Sequence, residues 1–235
     1  MEPLGFPVTR VSMVEALASH DSEERRVAAD LLARAYWRPI VTTLQTRWRL
    51  DAADAEDLTQ DFLSQAFLKE WLARYDPAKA RFRTFLRTCV DRFASNAIQS
   101  SRRLKRGGGA EIVSLDDDVV ASVFSDDADE RFRQEWVRSV FSLALTALRQ
   151  EAAEAGKDIR AAIFEAHDVE DATRDRPSYR DLAERFALPE TTITNHLAWA
   201  RSAFRRHVLA VLRSLAGSEA EYRQDAQELL GIRVP

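Results

Sequence analysis

Apolar residues recur at helical spacing along most of this chain, and few stretches alternate apolar with polar as a half-buried strand does. Val27, Leu31, Leu32, Ala35, Tyr36 and Ile40 mark a helix over residues 22 to about 50. Ser22 is its expected N-cap, and Pro39 is expected to kink or divide it. Leu58, Phe62, Leu63, Ala66, Phe67, Trp71 and Tyr75 predict a second helix, from Asp54 as N-cap to residue 75. Asp76-Pro77 ends it, because the residue before proline is pushed out of the helical region. Phe85, Leu86, Cys89, Val90, Phe93, Ala97 and Ile98 form the buried side of a third helix, over residues 82–103. Three glycines, Gly107–Gly109, follow it. Residues 107–129 read as an acidic linker, and helix returns over residues 130–155 and 159–166. Gly and Pro number seven each in 235 residues. Together these features predict an all-α fold of two small helical domains joined by the linker.

The chain carries a formal net charge of −4, but the charge is unevenly placed. Residues 51–61 hold five acids and no base. Residues 81–106 hold eight Arg or Lys and one acid, Asp91. Acids then dominate residues 111–135, and arginines return over 174–213. Such alternation predicts separate surfaces for separate partners. A single cysteine, Cys89, excludes a disulfide within one chain and a thiolate metal cluster. Its apolar setting makes it a small core residue. No apolar run approaches the roughly 20 residues that span a bilayer. The first residues, MEPLGFPVTR, lack the basic start and apolar core of a signal peptide, so the expected compartment is the cytoplasm, without membrane association.

The most specific local pattern lies at residues 178–206. Ser178 is placed as an N-cap, a short helix covers 179–186, and Ala187-Leu188-Pro189 makes a tight turn. A second helix starts near Glu190. This spacing predicts a helix–turn–helix, whose second helix enters a DNA major groove. Leu182, Ala183, Phe186, Ile193 and Leu197 would form its core. Thr191, Thr192, Thr194, Asn195 and His196 would face outward, suited to base edges and phosphates. Arg201, Arg205 and Arg206 follow and would neutralise phosphate. Ala187 stands where such turns often use glycine. In the basic stretch, Phe82, Phe85 and Phe93 read as core, while the arginines fit either a solvated face or a nucleic-acid surface. On the acidic helix, Gln60, Asp61 and Gln65 share a polar face that would meet a basic partner. Enzyme signals are weak. RGGGAE lacks the lysine and hydroxyl of a phosphate-binding loop. His167 with Asp168, Glu170 and Asp171 offers no metal framework and reads as a solvated loop. No cofactor and no metal are expected.

Taken in order, DAEDLTQDFL, FRTFLRTCVDRFASNAIQSSRRLKR, the acidic linker and SYRDLAERFALPETTITNHLAWARSAFRR resemble the extracytoplasmic-function sigma factors of bacterial RNA polymerase. The resemblance covers about residues 20–215. It implies a region 2-like domain over 1–106, the linker over 107–129, a region 4-like domain over 130–215 and a polar tail with helical potential over 216–235. It also implies core RNA polymerase as partner, through the clamp helices of its largest subunit and its flap, with Asp57, Gln60, Asp61 and Gln65 on the docking face. Promoter DNA would be the second partner. The melted −10 strand would lie on Arg83, Arg87, Arg92, Asn96, Arg102 and Arg103. The −35 duplex would be read by Thr191, Thr192, Thr194, Asn195, His196, Arg201 and Arg205. Such a factor has no catalytic residues of its own. Three positions depart from the family: Phe85 where tryptophan is frequent, Arg92 where asparagine is, and Asn96 where aspartate is. The alternative is a free-standing helix–turn–helix regulator that binds duplex DNA as a dimer, which would leave the acidic and basic helices unexplained. An anti-sigma factor or a Ser/Thr kinase is a further partner of the kind the resemblance suggests, with Thr59 as candidate phosphate acceptor.

Overall fold

A computed structural model describes residues 13–17, 19–68, 71–105, 126–170 and 176–234. Among these residues the chain is all-α, as predicted, with no strand. The elements are α1 (Met13–Leu17), α2 (Ser22–Thr46), α3 (Ala52–Leu68), a 3₁₀ turn (Trp71–Arg74), α4 (Phe82–Lys105), α5 (Asp126–Glu154), α6 (Asp158–Phe164), α7 (Tyr179–Phe186), α8 (Glu190–Leu215) and α9 (Glu219–Leu230). A π-helical turn, Glu165–Val169, extends α6.

The helix starts differ slightly from expectation. Asp21, not Ser22, caps α2, its carboxylate accepting from the amides of Glu23 and Glu24. Asp51 likewise accepts from the amide of Asp54, so α3 begins before Asp54. Asp21 and Asp51, one and three residues upstream of the expected caps, present a carboxylate to the free amides in the geometry a cap requires. Pro39 does not divide α2, which continues to Thr46. The predicted second helix ends early, at Leu68. The 3₁₀ turn then brings Trp71 to 5.9 Å from Phe93 and 6.3 Å from Phe62, ring centre to ring centre. Tyr75 meets Phe82 edge-on at 5.2 Å. The turn thus buries rings that one straight helix would have carried past the core.

Two buried clusters organise the molecule. The larger joins α1 to α5 with the second half of α8 and with α9. Tyr36, Phe62, Phe82 and Trp136 are all but completely buried there, each worth on the order of 1.5–3 kcal/mol over leaving it in water. The smaller gathers Leu148 and Ala152 of α5 around α6, α7 and the first half of α8, with Leu182, Ile193 and Leu197 at its centre. The long helices α5 and α8 therefore run through both clusters. Of the predicted linker, residues 126–129 belong to α5, and the rest lies outside the described residues together with the glycine triplet. The predicted polar tail contains α9, which is folded onto the body of the protein through Tyr222 and Ala226.

Candidate nucleic-acid interface

On α3, residues one or one and two turns apart share a face. Ala55, Thr59, Phe62, Leu63 and Ala66 point into the core, so Asp57, Gln60 and Asp61 are left exposed on the opposite side. Gln65 is half-buried at the margin of that face. Asp57 and Asp61 enter no ion pair among the described residues. Thr59 lies on the inner side of α3. It is completely buried, and its hydroxyl donates to the Ala55 carbonyl at 2.7 Å. A kinase could not reach it in this fold, which corrects the reading of Thr59 as a candidate phosphate acceptor.

The basic helix α4 has two kinds of arginine. Arg83 and Arg87 were expected to face a DNA strand, but both side chains are buried. Arg83 donates to Asp225 at 2.6 Å and lies 4.8 Å over the Trp136 ring. Arg87 pairs with Asp129 at the start of α5. The cause is their register: 83, 87, 90 and 94 form one stripe, and Val90 and Ala94 carry it into the core. Asp91, the lone acid, is also buried; it accepts from Trp48 Nε1 at 3.0 Å and pairs with Arg47 at 3.2 Å, fastening α4 to the end of α2. Arg92 and Asn96 are half-buried and lie one turn apart on a second stripe, which Gln99 continues. The side chains of Arg102 and Arg103 lie outside the described residues. Phe82 is core, as expected, and Phe85 and Phe93 are partly buried against it.

The α7–turn–α8 segment is built by local rules. Ser178 Oγ accepts from the Asp181 amide at 3.2 Å, and the Asp181 carboxylate accepts from the Ser178 amide at 2.8 Å, a complete capping box. Ala187 adopts φ 52°, ψ 45°, a left-handed residue that ends α7, and Leu188 N–H closes the turn on the Ala183 carbonyl at 3.0 Å. Pro189 then opens α8, where a missing N–H costs nothing. Ile193, Leu197 and Ala200 are fully buried. Thr191, Thr194, Asn195, Ser202 and Arg205 are left exposed along one side of α8, and Thr192 and His196 are half-buried beside them. Burial, and then the nearby Arg160 guanidinium, lower the His196 imidazole below its ordinary value, so it is neutral at neutral pH.

Two other arginines are engaged internally. Arg201 donates Nε to Asp168 Oδ2 at 2.8 Å and Nη2 to Asp168 Oδ1 at 3.1 Å. Arg206 pairs with Glu151 at 2.7 Å. Arg201 was expected among the DNA-facing groups; the π-helical turn turns Asp168 toward it instead. His167, read from sequence as part of a solvated loop, is buried in that turn with Nδ1 3.0 Å from Asp168. Asp171 lies outside the described residues. Lys157 and Arg160 were not expected here. Both sit over the Trp199 ring, at 5.5 and 5.2 Å from its centre, and so add positive charge beside the first half of α8. No local pattern betrays them, because they are about forty residues away in sequence.

Among the described residues the protein thus combines an acidic helix face, a basic helix and a short helix turning into a longer polar-faced one. Residues 32–104, from near the middle of α2 almost to the end of α4, match the family model Sigma-70 region 2. No curated protein and no solved structure matches the chain. No helix among the described residues is long and apolar enough to cross a membrane.

Proposed function

We propose that this chain is a transcription initiation factor of the sigma-70 kind, of the extracytoplasmic-function type. It would bind core RNA polymerase and direct it to particular promoters. The observation that carries this reading is the Sigma-70 region 2 match, which spans both the acidic helix α3 and the basic helix α4. In this reading Asp57, Gln60 and Asp61 dock on a basic surface of the polymerase, supported by their exposure opposite the buried face of α3. Arg92, Asn96, Arg102 and Arg103 hold the melted −10 strand. The α7–α8 segment acts as a helix–turn–helix on the −35 duplex. There Thr191, Thr192, Thr194, Asn195 and His196 approach base edges, and Arg205, Lys157 and Arg160 neutralise phosphate. The factor performs no chemistry; it lends specificity to the enzyme it joins. A free-standing regulator would leave the region 2 match without a role.

The test is transcription by core polymerase on a library of promoter fragments, with and without this protein. Discrete new start sites are expected only when it is added. Absence of start-site selection, with duplex binding retained, would overturn the proposal in favour of the regulator.

A further inference from the structure

The last helix meets the start of α4 through three carboxylates. Glu221, Asp225 and Glu228 lie at i, i+4 and i+7, on one side of α9. The Glu221 carboxylate accepts from the Phe82 amide at 3.0 Å, the Gly217 amide at 3.0 Å and the Tyr75 hydroxyl at 3.3 Å. Asp225 accepts from Arg83 at 2.6 Å and from Arg81 at 3.4 Å. Glu228 accepts from Arg81 at 2.7 Å and from Arg83 at 3.4 Å. Glu221 and Asp225 are 5% and 2% exposed, so water has been displaced from these contacts. The turn before α9 is equally close: a Cβ on Gly217 would stand 2.3 Å from the Tyr75 ring. Arg213 lies 4.1 Å over the Tyr222 ring and pairs with Glu219, which holds α9 to α8.

This arrangement does for Arg81 and Arg83 what a phosphate backbone would do. Carboxylate and phosphate oxygens accept the same forked guanidinium hydrogen bonds. Buried ion pairs contribute little net stability, because the desolvation of both charges offsets their attraction. Here that cost is visible: burial raises the Asp225 carboxyl, and Glu221 adds to the rise, despite the two arginines. A contact of this kind fixes an orientation, and another anion offers the guanidinium groups the same hydrogen bonds.

We propose that α9 is an internal latch, whose carboxylates occupy Arg81 and Arg83 and must lift away before the start of α4 can bind a nucleic-acid backbone. The latch also joins the start of α4 to the end of α8 through Gly217 and Arg213. The inference rests on the reading of α4 as a nucleic-acid surface.

The test uses the full chain and two variants. Gly217→Val wedges the turn away from Tyr75, and Glu228→Lys reverses a charge at a partly exposed position and leaves the core intact. Hydrogen exchange reads the latch directly, at the α9 amides and at the Phe82 amide. Anisotropy of a labelled single-stranded oligonucleotide reads the surface beneath it, without polymerase. In the wild type these amides should be protected. In the variants they should exchange faster while α2 and α8 stay protected, and the oligonucleotide should bind roughly tenfold tighter, the gain expected when a tenth-populated competent state becomes the main one. Should Gly217→Val unfold α8, Glu228→Lys decides alone. Unprotected α9 amides in the wild type, unchanged exchange in the folded variants, or faster exchange without tighter binding would each overturn the latch. Start-site selection in the transcription assay is a separate readout, so a failed initiation role is distinguished from a failed latch.

Discussion

At the scale of single residues, exposure and hydrogen bonding separate roles that charge alone does not. Asp57→Arg or Asp61→Arg should weaken capture of core polymerase by about tenfold or more, because like charge set against a basic surface opposes docking. The circular dichroism spectrum should not change, since both side chains are exposed. Unaltered capture in a pull-down would remove α3 from the interface. Ala187 presents a different case. Its φ of 52° costs an L-residue about 1 kcal/mol that glycine avoids. Ala187→Gly should therefore raise stability by about 1 kcal/mol in urea unfolding, and a loss would show that the gain in unfolded-chain freedom dominates. Cys89 is buried, and burial pushes its thiol up to about 11. Alkylation at neutral pH should be slow in the native protein and fast in denaturant.

The helices, as elements, were readable where their signals are local. The capping box at Ser178 and the turn at Ala187 sit within ten residues of each other, and the α7–turn–α8 segment forms where the sequence places it. Ser178→Ala should cost about 1 kcal/mol, visible as a lower unfolding midpoint. The inner stripe of α3 was also legible, because a period of 3.6 residues selects Phe62, Leu63 and Ala66 without reference to anything else. The arginines of α4 were not. Arg83, Arg87 and Arg92 look alike in sequence; register sets 83 and 87 in line with Val90 and Ala94, but the acids that pair with them come from other elements. Asp129 and Asp225, which claim Arg87 and Arg83, are distant in the chain. Thr59, taken as a candidate phosphate acceptor on α3, falls in the same stripe as Ala55 and Phe62 and is buried with them.

At the scale of the whole molecule, α5 and α8 tie the two buried clusters together, and acids tie the helices to one another. Burial alone would raise the Glu151 carboxyl, but Arg206 and His207 outweigh it and hold it below its ordinary value of 4.5. Asp168 is likewise lowered, burial being outweighed by Arg201 and His167. A carboxyl lowered in the folded state adds stability above its unfolded value, and that stability is lost as pH falls through the folded value. The thermal midpoint should therefore drop as the pH is taken from 5 towards 3. The drop should be smaller for a Glu151→Gln, Asp168→Asn double variant, and an equal drop would assign acid lability elsewhere. Asp225 has the opposite sign. Its raised carboxyl takes up a proton more readily in the fold, so it adds no acid lability of this kind.

What the sequence by itself determined is the all-α class, the inner stripes of the helices, the cap and turn of α7, and the alternation of acidic and basic segments. Each depends on residues within a few turns of one another, where spacing and backbone chemistry suffice. Only the tertiary structure decided which charges are available. Asp57 and Asp61 remain exposed, while Arg83, Arg87, Arg201 and Arg206 are each taken by an acid from another element. Only the fold, likewise, made a packed helix of residues read as a tail. A charge in sequence states its sign; whether it meets solvent, a partner or its own chain depends on which distant helix lies over it, and that is set by packing.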